Sequence, residues 1–362
     1  MDDTRLTTDE DAVRKHLEAV LETTVETVSV LADGLNVLLE AETPGGSIVI
    51  RRPTDLRETD LFVDLETEYR VMEHLSSTRI RTPEPLVFVD ESTTLEGPWF
   101  AMRKRAGDPV PLGSTLPARF QDPASRRRLA TALLDTLAAI HTLETRPVAP
   151  VLEHVPPVEQ IERAMTRLEA AESTTNRAWT ELRTLGQRLR VNAPATVEPT
   201  LVHGDYRPGN CLFAGTDRPA LTAVLDWETA MLGDPHTELG YLLLRWHDAG
   251  DTGICLEEIE RAFDRPEALA DIRRANREGL APFTGRPGSP TRGDLVERYE
   301  RQTGRRFRAD RFYRAHAAFL LATVWVDLHR RTLEAGQRSD REPHIAYMTA
   351  LAGAVLDGDL PL

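Results

Sequence analysis

The chain has 362 residues, 41% of them hydrophobic, and a net charge of −14. That length accommodates two lobes with separate cores. No apolar run of about 18 residues occurs, which excludes a membrane-spanning helix, and the acidic balance lacks the basic footprint of a nucleic-acid binder. Cys211 and Cys255 are the only cysteines, too few for a disulfide framework. The opening text MDDTRLTTDEDAVRKHLEAV is acidic and polar, unlike a signal peptide, so a cytoplasmic location is expected. Among 44 basic residues only Lys15 and Lys104 are lysines. An acid-rich, lysine-poor surface suits a halophilic, high-salt cytoplasm, because dense carboxylates retain hydration. A GC-rich genome explains the arginine but less readily the acid.

In chain order, Val13, Leu17, Val20 and Leu21 mark one face of a helix over residues 10–24. Strands are expected over 26–31, 36–42 and 47–52, separated by turns at Ala32-Asp33-Gly34 and Pro44-Gly45-Gly46. The Gly34 turn offers backbone amides that can cradle an anion, although an ordinary hairpin has the same text. A helix over 61–75 buries Leu65, Tyr69, Met72 and Leu75 and carries Glu66 and Glu68. Pro83 and Pro85 break the chain before a strand over 86–90, and Glu96-Gly97-Pro98 leads into a strand over 99–103. Gly107, Pro109 and Pro111 then relax the chain, which divides it into residues 1–105 and 106–362. The second part opens with a helix over 125–141, striped by Leu129, Leu133, Leu137 and Ile140. One or two charged amphipathic helices follow over 158–192. Further on, Asp234 fits a helix N-cap with Pro235 at the first position and Glu238 in the first turn. A Gly-, Pro- and Ser-rich loop over 281–294 precedes a helix over 295–303. The last long helix, over 311–331, is apolar on most faces and central to the second lobe.

The chemistry concentrates in LVHGDYRPGNCLFAGTDRPALTAVLDWETAML, residues 201–232. His203, Asp205, Arg207 and Asn210 share one short segment, and the apolar run 221–225 ends at Asp226. Phosphoryl transfer needs a carboxylate to orient the attacking hydroxyl, a cation to meet the phosphate and oxygen ligands for magnesium. Asp205, Arg207 and the pair Asn210 and Asp226 supply these in turn. Protein kinases place a basic residue two positions, and an asparagine five positions, after their catalytic aspartate. Arg207 and Asn210 stand at those offsets from Asp205. A lone His-Gly-Asp is usually an ordinary loop; the asparagine and the strand-terminal Asp226 in register argue otherwise. A metal-hydrolase reading lacks a second histidine cluster with ligand spacing.

HGDYRPGN followed by VLDWETAMLGDPHTELGYLL resembles the aminoglycoside phosphotransferase and choline kinase-like superfamily. The resemblance is strongest to its broad phosphotransferase branch, related to the kinase-like domain of some acyl-CoA dehydrogenases. It implies an α+β, two-lobed protein-kinase-like fold, with a small antiparallel β-sheet N-lobe carrying one helix and a larger, mainly helical C-lobe. It also implies ATP or GTP with Mg2+, and a small-molecule hydroxyl as acceptor, without nucleic acid or membrane; a homodimer is compatible with it. Asp205 then orients the hydroxyl, Arg207 offsets phosphoryl charge, His203 braces the loop, and Asn210 and Asp226 hold magnesium. The family's third strand carries a phosphate-gripping lysine, held by a helical glutamate. Here Arg51 occupies that place and Glu68 is the expected partner, with a surface ion pair as the bland alternative. Gly34 is expected over the phosphates and Met102 at a hinge, 102–105, whose backbone meets the base. His141 resembles the family's helix-ending histidine and reads as structural.

Trp227-Glu228 follows Asp226 where a protein kinase has Phe-Gly, and no Ala-Pro-Glu follows, so a protein-kinase activation segment is absent. The text LVERYERQTGR and ADRFYRAHAAF looks closer to a hydroxyacyl-CoA-type branch than to antibiotic kinases. The Arg51 exchange motivates one alternative, a pseudokinase or nucleotide-binding module without turnover.

Overall fold

A computed structural model describes residues 10–54, 57, 59, 61–195 and 198–362. The reading of the first nine residues as non-signal text lies outside the described residues. The N-lobe contains α1 (Glu10–Leu21), β1 (Thr27–Asp33), β2 (Asn36–Glu42), β3 (Ile48–Pro53), α2 (Leu65–Ser76), β4 (Pro85–Val89) and β5 (Trp99–Arg103). Its five strands form one antiparallel sheet in the order β1-β2-β3-β5-β4.

Strand alternation sends the side chains of β5 into two separate cores, one on each face of the sheet. On β5, Trp99 and Ala101 join Val13 and Leu17 of α1, Leu39 of β2 and Ile50 of β3 in one cluster. Phe100, between them, joins Met72 and Leu75 of α2 in the main core. The lobe therefore has the expected helix between β3 and β4, and α1 seals the opposite face. Helix α2 begins four residues later than the apolar text suggests. Asp64 caps it by accepting the Thr67 N–H at 2.8 Å. Residues 61–63 turn toward the helix without joining it, tethered by Val63 N–H to the Glu228 carbonyl at 2.8 Å.

The C-lobe comprises α3 (Pro123–Ile140), α4 (Pro157–Thr175), α5 (Thr180–Val191), β6 (Thr200–Val202), β7 (Cys211–Ala214), β8 (Ala220–Val224), β9 (Met231–Gly233), α6 (Pro235–Leu244), α7 (Glu257–Ala262), α8 (Pro266–Glu278), α9 (Arg292–Thr303), α10 (Asp310–Glu334) and α11 (Glu342–Asp357). Asn176, in the left-handed region at φ 51°, ends α4, so the 158–192 segment is two helices. Thr291 and Asp294 form a capping box that starts α9 inside the expected loop. Helix α10 is the central element, in contact with α4, α5, α6 and α11. Two short antiparallel pairs, β6 with β9 and β7 with β8, frame the segment 203–210.

Helix α6 reaches that segment because it lies close against α10. A Cβ on Gly240 would come within 2.7 Å of the Tyr313 backbone, so only glycine permits this crossing. Glycine inside a helix is otherwise unfavourable by about 1 kcal/mol against alanine. Gly240→Ala is therefore expected to lower stability by about 1–3 kcal/mol despite its better helix propensity. A urea-denaturation midpoint equal to or above that of the parent chain would refute the close crossing.

Candidate active site

The loop between β6 and β7 is held by its backbone before its side chains act. Gly204 has φ +86°, and a Cβ there would lie 2.3 Å from the Thr229 carbonyl oxygen, so the turn requires glycine. His203 is fully buried. Its Nε2 meets the Leu225 carbonyl at 2.7 Å, and its Nδ1 meets the Asp205 N–H at 3.2 Å. Those partners assign the proton to Nε2 and make the ring a brace, tilted against Trp227 at 4.6 Å. The Asp205 carboxylate receives the Arg207 Nε–H at 3.0 Å and the Asn210 amide at 2.8 Å on Oδ2. Its Oδ1 receives the Tyr241 hydroxyl. Burial alone would raise the Asp205 pKa, but the charges of Arg207 and Arg245 and the Tyr241 hydrogen bond outweigh it and hold the carboxyl below its ordinary value.

Glu238 on α6 anchors the loop from behind. Its two oxygens accept the backbone N–H groups of His203 at 3.1 Å and Gly204 at 2.7 Å. His141 Nε2 lies 3.0 Å from the same carboxylate, and its Nδ1 lies 2.8 Å from the Tyr299 hydroxyl. His141 is thus the buried structural histidine expected from the sequence. Cys211, just past the loop, is also buried, which pushes its thiol up to about 12 and keeps it inert.

The facing lobe contributes a second charge cluster. Arg51 on β3 is buried and reaches three carboxylates: Asp226 at 2.8 Å, Glu68 at 3.4 Å and Glu228. The surface-pair alternative for Arg51 and Glu68 is excluded, since they are 3% and 1% exposed. Burial opposes the Arg51 charge, and these carboxylates outweigh it. Glu68 has a closer cationic partner in Arg57, at 2.7 Å. Arg57 also donates to Asn36 at 3.0 Å, and Asn36 donates to Glu228 at 3.1 Å. The sequence did not single out Arg57, because its partners Glu68 and Asn36 stand on separate elements. Burial pushes the Glu228 pKa up, against the pull of Arg51. Asp226 sits at φ +59°, a left-handed conformation uncommon outside glycine, and its side chain is 42% exposed.

A cavity of about 770 Å³ runs from Asp205, Arg207 and Asp226 toward α4 and α10. Leu320, Leu321, Val324 and Trp325 line it, along with Arg163 and Arg245. Gly34 and Met102 occupy the turn after β1 and the end of β5, and neither is among the residues lining this cavity. Gly34 lies in the turn after β1, without a positive φ and with open space where a Cβ would go, so nothing there demands glycine; its neighbour Leu35 lines the cavity instead. Met102 pairs with Val49 and Pro85 within the sheet and packs on the core. Tyr241 and Arg245 are among the polar lining residues that the sequence did not single out. They stand three and seven residues after Glu238, a helical spacing that puts all three on one face.

Comparison with known proteins agrees with this geometry. An aminoglycoside phosphotransferase variant held with ADP and hygromycin B is 14% identical, with a TM-score of 0.57 over 96% of this chain and 98% of that one. A Ralstonia eutropha protein provisionally assigned to the aminoglycoside phosphotransferases is 22% identical, with a TM-score of 0.71 over 96% and 98%. These likenesses establish a kinase-like fold. The class that fold and family model define together is a phosphotransferase. The chain belongs to the phosphotransferase enzyme family, whose profile matches residues 24–283. Mouse acyl-CoA dehydrogenase family member 10 is 28% identical over 192 residues, which are 51% of this chain and 17% of that protein. The chain thus matches less than a fifth of that relative's length. No helix among the described residues is long and apolar enough to cross a membrane.

Two outcomes follow from the site. Glu238→Gln replaces one acceptor oxygen by a donor facing backbone N–H groups; it should cost about 1–3 kcal/mol in stability. An unchanged melting temperature would rule out the anchoring role. His316, a buried cavity-lining residue, has its pKa pushed down to about 4 by burial, from 6.5. Between those values the unfolded chain binds more protons, so the stabilisation is complete above pH 6.5 and is lost as pH falls toward 4, by about 3 kcal/mol. His316→Leu should flatten that slope in urea titrations at pH 7 and 4.5; an unaltered slope would assign the loss to other groups.

Proposed function

We propose that this chain transfers the γ-phosphate of ATP or GTP to the hydroxyl of a small molecule bound in the cavity between the catalytic loop, α4 and α10. The observation that carries the reading is the meeting of Asp205, Arg207 and Asp226 at one end of that cavity, with Asn210 bonded to Asp205. In this reading Asp205 orients the acceptor hydroxyl and takes its proton late, its low pKa keeping it charged. Arg207 offsets charge on the phosphoryl oxygens, and His203 braces the loop. Arg51 and Glu68 shape the phosphate side. The protein's contribution is position and electrostatics.

Magnesium fits the donor set. Asn210 spends its amide nitrogen on Asp205, leaving its amide oxygen as the acceptor, and Asp226 keeps an exposed carboxylate. One or two protein oxygens are what magnesium takes when phosphates and water supply the rest. When bound, the ion would neutralise charge on the nucleotide phosphates. Among the described residues no cluster of three His, Cys, Asp or Glu forms a dedicated metal cage.

The apolar wall of α10 with arginines nearby suits an acceptor that combines an apolar chain and an anionic end. A hydroxyacyl-CoA-type acceptor has that character, and the likeness to acyl-CoA dehydrogenase family member 10 points the same way. The acidic, lysine-poor composition favours a cytoplasm of high salt as the setting of the reaction. The second reading, a nucleotide-binding module without turnover, rests on Arg51 being engaged by three carboxylates.

Thermal stabilisation by ATP and by GTP, with and without magnesium, in low and molar KCl, tests the nucleotide site. Asp226→Ala should remove the magnesium-dependent part of the shift. Asp205→Asn should keep the shift while lowering turnover by roughly 100-fold or more. Turnover unchanged in Asp205→Asn would overturn the assignment; a nucleotide shift with no turnover in the parent chain would favour the binding module.

A further inference from the structure

Helix α6 carries three polar side chains on the face it turns to the catalytic loop: Glu238, Tyr241 and Arg245. Glu238 holds the backbone of the loop. Tyr241 touches its working group, donating its hydroxyl to Asp205 Oδ1. Arg245 lies over the Tyr241 ring, with its guanidinium carbon 3.7 Å from the centroid, and donates to the Tyr241 carbonyl at 2.8 Å. The cation therefore covers one face of the ring, and its bond to the Tyr241 backbone holds it there.

Resting on the phosphotransfer reading, we infer that Tyr241 is a positioning residue that sets the plane of the Asp205 carboxylate for the acceptor hydroxyl. A carboxylate oxygen has two lone pairs, and the group accepts about four hydrogen bonds. Arg207 and Asn210 occupy Oδ2, and Tyr241 occupies one site on Oδ1. Three donors on two oxygens define the carboxylate plane completely. The remaining lone pair of Oδ1 is the place for the acceptor O–H, beside the phenol. Without the Tyr241 hydroxyl, both fixed contacts lie on Oδ2, and the carboxylate can pivot about that oxygen. Loss of orientation by a fraction of an ångström costs rate while leaving the phosphate-binding groups on the other lobe untouched. A phenol suits this task because burial and the neighbouring Asp205 raise its pKa, so it remains a neutral donor. It constrains the carboxylate without competing for the hydroxyl proton.

The test uses the full chain with magnesium and nucleotide, and water as the acceptor probe, measuring nucleotide hydrolysis. Four proteins are compared: parent, Tyr241→Phe, Asp205→Asn and the double variant. Tyr241→Phe should lower kcat roughly 10- to 100-fold, with the nucleotide KM and the nucleotide-induced melting shift unchanged. In the Asp205→Asn background the same change should cause no further fall, because Tyr241 acts through Asp205. Equal falls in both backgrounds, a parent-like kcat in Tyr241→Phe, or a changed nucleotide KM would each overturn the inference. If Asp205→Asn itself hydrolyses at the parent rate, the functional reading fails and takes this inference with it. A slow Asp205→Asn beside a fast Tyr241→Phe removes the inference alone.

Discussion

Two backbone N–H groups, those of His203 and Gly204, point at the Glu238 carboxylate, and the geometry of the site depends on that contact. A loop with a left-handed glycine has no strand ladder to satisfy its donors, so a buried acceptor must come from elsewhere. A helix supplies it, and a helix is a rigid mount. The close approach at Gly240 fixes how far α6 stands from α10, and hence where Glu238 meets the loop. Once the loop is seated, the His203 contacts to the Leu225 carbonyl and the Asp205 N–H tie its first residues to the end of β8. Asp205 and Asp226 are then fixed relative to each other by backbone, before any ligand arrives.

The grouping of Asp205, Arg207, Asn210 and Asp226 was legible because its information is local. A loop between short strands fixes the offsets of Arg207 and Asn210 from Asp205, and a strand end fixes Asp226. The sheet was legible for the same reason, since β2 shows the alternation that a half-buried strand imposes. Helix α2 was placed too early because Leu61, Phe62 and Val63 continue its apolar text, while the Asp64 cap decides where hydrogen bonding begins. Gly34 and Met102 were expected by analogy with places in a family, and neither lines the cavity that these side chains build. Arg57 lay beyond local reasoning, because its role comes from meeting Glu68 and Asn36 across separate elements. Tyr241 and Arg245 were visible as spacing on α6, yet a helix that reads as mostly apolar draws attention to its core face.

The exchange of lysine for arginine at position 51 has a physical counterpart in its surroundings. An ammonium is a compact point charge, whereas a guanidinium is a planar fork that engages several acceptors at once. Arg51 uses that capacity fully, meeting Glu68, Asp226 and Glu228 from one buried position. Burying such a group is costly unless its partners compensate, and the compensation here is spread over both lobes. Glu68 comes from the N-lobe, Asp226 and Glu228 from the C-lobe, so the guanidinium also links the lobes.

Arg51 and Arg57 bring two positive charges to Glu68, Asp226 and Glu228, leaving one carboxylate charge uncompensated. The members of the cluster differ sharply in exposure. Glu68 is deeply buried between both arginines, and Glu228 is largely enclosed beside Arg51 and Asn36. Asp226 alone opens to the cavity, at 42% exposure, and touches only one cation. The strain of that excess falls on Glu228, whose pKa is pushed up by burial and also by Glu68 and Asp226, while Asp226 is paired with Arg51 on one oxygen and stays open to the cavity. On the proposed phosphotransfer reading, Arg51 in place of the family's lysine still leaves Asp226 with an exposed carboxylate to meet a cation.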